Sequence, residues 1–189
     1  LQEGTYEIQS ERRGYALELA VDFIRQNMPR QSFFRQDPNE PVKSLNTQTL
    51  DEVKSTWPEG EIGIRIGDYM FRPHQRWTIT AMPEKGGYLS NPYFKITIEG
   101  TDRALCATEN MEVTSVPAFT GEDCQLWRIE QLTDGTFRIM PKAIPGKEGI
   151  NTEYVLYSIG DSTPTLAKYD FSSDNSKWNL REFKCNCKK

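Results

Sequence analysis

Three tryptophans constrain this chain more than any other feature. Trp77, Trp127 and Trp178 recur at intervals of 50 and 51 residues, in matched settings: His74-Gln75-Arg76-Trp77-Thr78-Ile79, Cys124-Gln125-Leu126-Trp127-Arg128-Ile129 and Asn175-Ser176-Lys177-Trp178-Asn179-Leu180. A polar residue stands two before each Trp and an apolar one two after it, the alternation of a half-buried strand. A period of this length marks a repeat whose single copy cannot bury its own apolar face, so the copies must share a core.

The rest of each repeat is found from its Trp. Eleven positions upstream stand Ile66, Val116 and Ala167; about eight upstream stand Tyr69, Phe119 and, with one deletion, Phe171. Each repeat opens on an aromatic-x-Ile strand, at Tyr6-Glu7-Ile8, Phe94-Lys95-Ile96 and Phe137-Arg138-Ile139. A second short apolar strand follows at Ala16-Leu17, Ala104-Leu105 and Val155-Leu156, ten residues on in the first two repeats. The third repeat carries an extension through Pro141 to Gly146, and Asp134-Gly135 predicts a tight hairpin turn. The expected class is all-β, about four short strands per repeat, with the tryptophans in the core rather than serving as ligand platforms.

The first repeat is interrupted by an insertion, about 21–60, that reads differently. Thr49-Leu50-Asp51-Glu52 has capping-box spacing, and Leu50, Val53 and Trp57 share a helical face, so a short helix over 46–57 is expected to pack on the barrel. A loop that closes over a ligand site is the functional alternative. Residues 1–183 form one domain on this reading, and 184–189 a disordered tail, Cys185-x-Cys187 being a weak metal-ligand signal.

Composition narrows the function. With 23 basic and 27 acidic residues the net charge is −4, which argues against nucleic-acid binding. His74 is the single histidine, which excludes His-based zinc clusters and most His-dependent triads, and neither common Gly-rich phosphate loop is present. No cofactor or metal site is expected. No apolar run approaches a membrane span of ~18–20 residues. The chain opens on Leu1 rather than Met, which reads as a mature or trimmed product.

Three pseudo-repeats closing on Gln-x-Trp resemble the ricin-type β-trefoil. Gln75-Arg76-Trp77 and Gln125-Leu126-Trp127 match its motif, while Ser176-Lys177-Trp178 departs by Ser for Gln. The resemblance covers residues 4–183 apart from the insertion, and Phe137 to Trp178 also resembles a domain of secreted proteins from Bacteroidetes-type gut bacteria. It implies a barrel that hides most strand edges, and extracytoplasmic residence: secreted, periplasmic or at the cell surface. In that family each repeat can hold a sugar with an acid after the second strand, an aromatic about ten before the Trp and an Asn about three before it.

Residue by residue, that pattern is mostly broken. The acid, platform and amide positions fall on Ala20, Gly67 and His74 in the first repeat and on Thr108, Pro117 and Cys124 in the second. In the third, Ser158 stands at the acid position, but Tyr169 and Asn175 fit the platform and the amide, and Asp161 or Asp170 would supply the acceptor. Tyr169 as a surface strand aromatic and Asn175 as a turn residue is the competing reading. Cys106 falls where the family often has half of a disulfide; Cys106–Cys124 is the candidate bridge, two buried free thiols the alternative. No carboxylate pair stands out for glycoside hydrolysis, and this trefoil type usually binds rather than catalyses. The expectation is non-catalytic, lectin-like binding of a glycan or polysaccharide, with at most one degraded site, in the third repeat. A protein-interaction trefoil, such as a protease inhibitor acting through the insertion or the Pro141–Asn151 loop, and an accessory domain without a small ligand are the alternatives.

Overall fold

A computed structural model describes residues 1–12, 14–21, 57–88, 91–147, 154–159 and 163–183. In chain order the strands are β1 (Gly4–Ser10), β2 (Ala16–Leu19), β3 (Ile62–Gly67), β4 (Trp77–Ala81), β5 (Gly87–Tyr88), β6 (Asn91–Pro92), β7 (Phe94–Ile98), β8 (Ala104–Ala107), β9 (Val113–Val116), β10 (Trp127–Gln131), β11 (Phe137–Pro141), β12 (Tyr154–Tyr157), β13 (Thr165–Lys168) and β14 (Trp178–Glu182). A 3-10 turn precedes each Trp strand, at Pro73–Gln75, Asp123–Gln125 and Asp174–Ser176. Among the described residues there is no α-helix, and so none long and apolar enough to cross a membrane.

Six antiparallel ladders close a ring in the order β1, β4, β7, β10, β11, β14 and back to β1. The hairpins β2–β3, β8–β9 and β12–β13 cap one end. This is the β-trefoil that the repeats imply. The ring strands carry one face inward: in β4 and β10 the Trp and the Ile two residues on are buried. The cap strands β2 and β8 are buried at all four positions, because barrel and neighbouring hairpins cover both faces.

The three tryptophans close the core. Each is 0% exposed. Each indole N–H donates to the carbonyl of a second-strand leucine: Leu17 at 2.9 Å, Leu105 at 3.0 Å and Leu156 at 2.9 Å. A ring of this size removes ~200 Å² from water, on the order of 4–5 kcal/mol at ~25 cal/mol/Å² as an upper bound. The motif glutamines have a separate task. Gln75 Oε1 accepts from the Met70 amide at 2.8 Å and Gln125 Oε1 from the Thr120 amide at 2.8 Å, stapling the loop that leads into the Trp strand. Ser176 is shorter and donates instead to the carbonyls of Ser173 (3.0 Å) and Asp170 (3.2 Å), which draws the third loop in.

Local departures from expectation have local causes. Residues 22–56 of the insertion, with Leu50 and Val53, lie outside the described residues. Trp57 stands in a bend rather than a helix, half-buried against the core. The Pro141–Asn151 loop does not project from its start: Pro141 ends β11 opposite Trp127, and Ile144 is only 9% exposed. Residues 148–153, and the tail with Cys185 and Cys187, lie outside the described residues. Asp134-Gly135 makes its hairpin: Gly135 sits at φ 90°, and the Asp134 carboxylate accepts from the Thr136 amide at 2.9 Å. The pair β5–β6 has no forerunner in the repeat pattern; it needs Gly87 at φ 100°, where a Cβ would meet the Pro92 Cα at 2.8 Å.

Candidate functional site

One niche recurs three times, between the residue after the Trp-bonded leucine and the residue three before the Trp. The pairs are Glu18 with His74, Cys106 with Cys124, and Tyr157 with Asn175. The backbone is common to the three; the chemistry is not.

In the first repeat the niche holds a buried carboxylate. Glu18 accepts from Arg65 Nε at 2.7 Å and from Gln75 Nε2 at 2.9 Å, with His74 Nε2 at 3.5 Å. Burial alone would raise its pKa, but the hydrogen bonds from His74, Arg65 and Gln75 outweigh it and hold the carboxyl below its ordinary value. Gly67 leaves the space: a Cβ there would lie 2.7 Å from Glu18 Oε1. The first-repeat acid is thus two residues before Ala20 and faces inward, where no ligand reaches it.

In the second repeat the sulfurs of Cys106 and Cys124 lie 2.9 Å apart, both as thiols. Burial, and then the hydrogen bond to Cys124, push the Cys106 thiol well above its ordinary range. A thiol so held stays protonated and is a poor nucleophile.

The third repeat is the open one. The Tyr157 hydroxyl lies 2.7 Å from Ser173 Oγ, and the Ser158 amide donates to the Asn175 carbonyl at 2.8 Å. Asn175 is thereby fixed beyond the Tyr157–Thr165 end of the β12–β13 ladder, whereas Tyr169 follows Lys168 at the Tyr154 end. The turn from Asp170 to Ser176 spans the hairpin between them. Tyr169 is half-buried, with the Arg138 guanidinium 4.9 Å from its ring centre. Asp170 Oδ1 accepts from the Ser172 hydroxyl at 2.6 Å and the Ser172 amide at 2.9 Å. These bonds hold its carboxyl below the usual range. The Ser173 amide closes the turn on the Asp170 carbonyl at 3.1 Å. Phe171 rides on this pinned turn, 79% exposed. Ser158, at the acid position, is buried, and Asp161 lies outside the described residues.

Sequence reasoning does not single out Phe171 as a ligand-facing residue. The signal is present in its alignment with Tyr69 and Phe119, whose surroundings differ. Tyr69 packs on Phe71 with ring centres 4.5 Å apart, and Phe119 lies beneath the Lys95 ammonium at 5.1 Å. Each of these rings has a protein neighbour over it, and the turn that carries Phe171 lifts it into solvent.

No family model matches the chain, and no curated protein matches it. Solved structures do. A mosquitocidal holotoxin superposes with a TM-score of 0.64 at 13% identity over 97% of this chain, which spans only 18% of the toxin. The designed threefold-symmetric protein ThreeFoil gives 0.60 at 17% identity, covering 95% of this chain and 99% of that one. The β-trefoil lectin of the Vibrio vulnificus hemolysin/cytolysin, with N-acetyl-D-lactosamine bound, gives 0.58 at 12% identity over 99% and 100%. The fold is the β-trefoil.

Proposed function

We propose that this protein is a non-catalytic, lectin-like carbohydrate binder of ricin type whose working site is on the third repeat. The observation that carries the reading is Phe171, displayed at 79% exposure on a turn held by hydrogen bonds to both the side chain and the carbonyl of Asp170. An exposed ring on a turn whose backbone is already fixed is a surface on which the apolar face of a sugar stacks, with little backbone left to order at the moment of binding. Tyr169 on one side and the Asn175 amide on the other bracket it, and Asp170 Oδ2 supplies an acceptor for a hydroxyl. The β-trefoil lectin of the Vibrio vulnificus hemolysin/cytolysin, among the similar structures, supports this reading. Extracytoplasmic residence accords with the closely placed Cys106 and Cys124.

A single shallow site binds in the millimolar to high-micromolar range, about −4 to −6 kcal/mol. A glycan array, followed by titration of the best sugar against Phe171→Ala and Tyr169→Ala, tests the assignment. Each substitution is expected to weaken binding at least ~10-fold. Undiminished binding in both variants moves the site elsewhere, and an empty array at high protein concentration overturns the carbohydrate reading.

A further inference from the structure

A second site lies between repeats rather than within one. β3 and β9 pair at only two positions, Ile62 with Ser115 and Gly63 with Thr114, and then part. The parting opens a cleft of about 510 Å³ at the cap, floored by Ile64 and Val113. The volume is that of a small-ligand site. One wall is Ala20, Gly63 and Arg65 from the first repeat; the other is the turn from Thr108 to Glu112 in the second, with Asn110 facing the cleft.

Both walls are rigid. The Thr108 amide donates to the Glu112 carbonyl at 2.9 Å, the Glu112 amide to Thr108 Oγ1 at 3.2 Å and the Met111 amide to the Thr108 carbonyl at 3.2 Å. Met111 is held at φ 62°, a conformation rare for a residue with a side chain, while its carbonyl accepts from the Leu166 amide at 2.7 Å. Opposite, Arg65 is fixed through Nε on Glu18 and Nη2 on the Val21 carbonyl, yet its side chain is 41% exposed.

We infer that this inter-repeat cleft is a second carbohydrate subsite, for a neutral mono- or disaccharide. The Arg65 guanidinium on one wall faces the Asn110 amide and the Glu112 carboxylate on the other, and each sugar hydroxyl both donates and accepts, so one ring satisfies donors and acceptor together. The wall of Ala20 and Gly63 has no side chain beyond a methyl group, which lets the C–H face of a sugar approach the backbone. Arg65 is already matched by Glu18, so Glu112 sets the sign of the cleft and disfavours an anionic sugar. The ligand class rests on the carbohydrate reading above; the site rests on its own geometry.

Amide-resolved NMR titration tests it, with methyl galactoside, methyl glucoside, methyl N-acetylglucosaminide, lactose and glucuronic acid as probes, each to ~50 mM to reach weak affinities. Shifts at the amides of Gly63, Asn110, Glu112 and Thr114 are expected for a neutral probe, saturating independently of any shifts around Phe171. Gly63 has no positive φ, and a Cβ added there would meet only the Ala20 Cβ, at 3.9 Å, so Gly63→Trp fills the cleft without backbone strain. It should abolish the cleft shifts and leave those near Phe171 in place. Glu112→Gln, a conservative change, should weaken cleft binding at least ~10-fold. No cleft shifts for any probe, unchanged cleft affinity in Gly63→Trp, or tighter binding of glucuronic acid than of the neutral sugars each overturns the inference. Loss of shifts around Phe171 alone overturns only the third-repeat site.

Discussion

Trp127→Phe isolates one hydrogen bond at the heart of the fold. The indole donates to the Leu105 carbonyl at 3.0 Å from a fully buried position, between Pro141 and Phe94 on the flanking strands. Phenylalanine keeps an aromatic ring there but removes the donor, leaving a dry carbonyl at a cost of about 1–3 kcal/mol. The smaller ring also leaves a void, worth roughly 1 kcal/mol more. The sum is about 2–4 kcal/mol, against about 3–5 kcal/mol for Trp127→Ala. Urea unfolding reads it directly: the midpoint should fall with m unchanged. For a chain of this size Tm should drop by about 2–4 °C per kcal/mol. Because Trp77 and Trp178 make the same bond at 2.9 Å and are equally buried, their Phe variants should agree with Trp127→Phe to within about 1 kcal/mol. A loss under about 0.5 kcal/mol at Trp127, or a clearly unequal set, would refute the claim that three equivalent indole bonds close the core.

Three further outcomes are expected. Air oxidation should join Cys106 to Cys124, seen as two alkylation sites lost in mass spectrometry without reductant, and stabilise the fold by about 3 kcal/mol; full labelling of both native thiols counts against the bridge. Glu18 has its folded pKa lowered below 4.5, so its contribution is complete above that value and lost as pH falls through the folded pKa. Urea midpoints measured down to about pH 3 should decline, and Glu18→Gln should flatten that decline; an unchanged slope would remove Glu18 from the account. The Asp134 carboxyl, held down by the Thr136 hydroxyl and amide and by Lys177, should titrate at about 2 by NMR, and Lys177→Ala should move it upward.

What the sequence discloses follows from period and face. Strands β4, β10 and β14 are legible because each alternates about a Trp, and β1, β7 and β11 because each opens on aromatic-x-Ile. The cap strands are legible as short apolar runs, but not by face. With every position of β2 buried, alternation says nothing about which side Glu18 takes, so the family's offset points to Ala20 while the acid lies inside. Tyr169 and Asn175 are found by offset from Trp178, which places them along the chain but not over the hairpin that separates them. Phe171 is equivalent by alignment to Tyr69 and Phe119; only the contacts of its neighbours show that it alone of the three is lifted into solvent. The cleft between β3 and β9 depends on where a ladder stops, which no spacing records.

The ring of six strands also orders events in time. β1 lies between β4 and β14, with Tyr6 opposite both Trp77 and Glu182. Synthesis makes β1 before β14, so β1 keeps one side unsatisfied until β14 has been made, and the barrel shuts only then. Such long-range closure is slow, and it leaves a sticky nascent intermediate for chaperones to shield. A circular permutant, joined across its neighbouring ends and reopened at Asp134-Gly135, would make a different pair the last to meet while keeping every ladder.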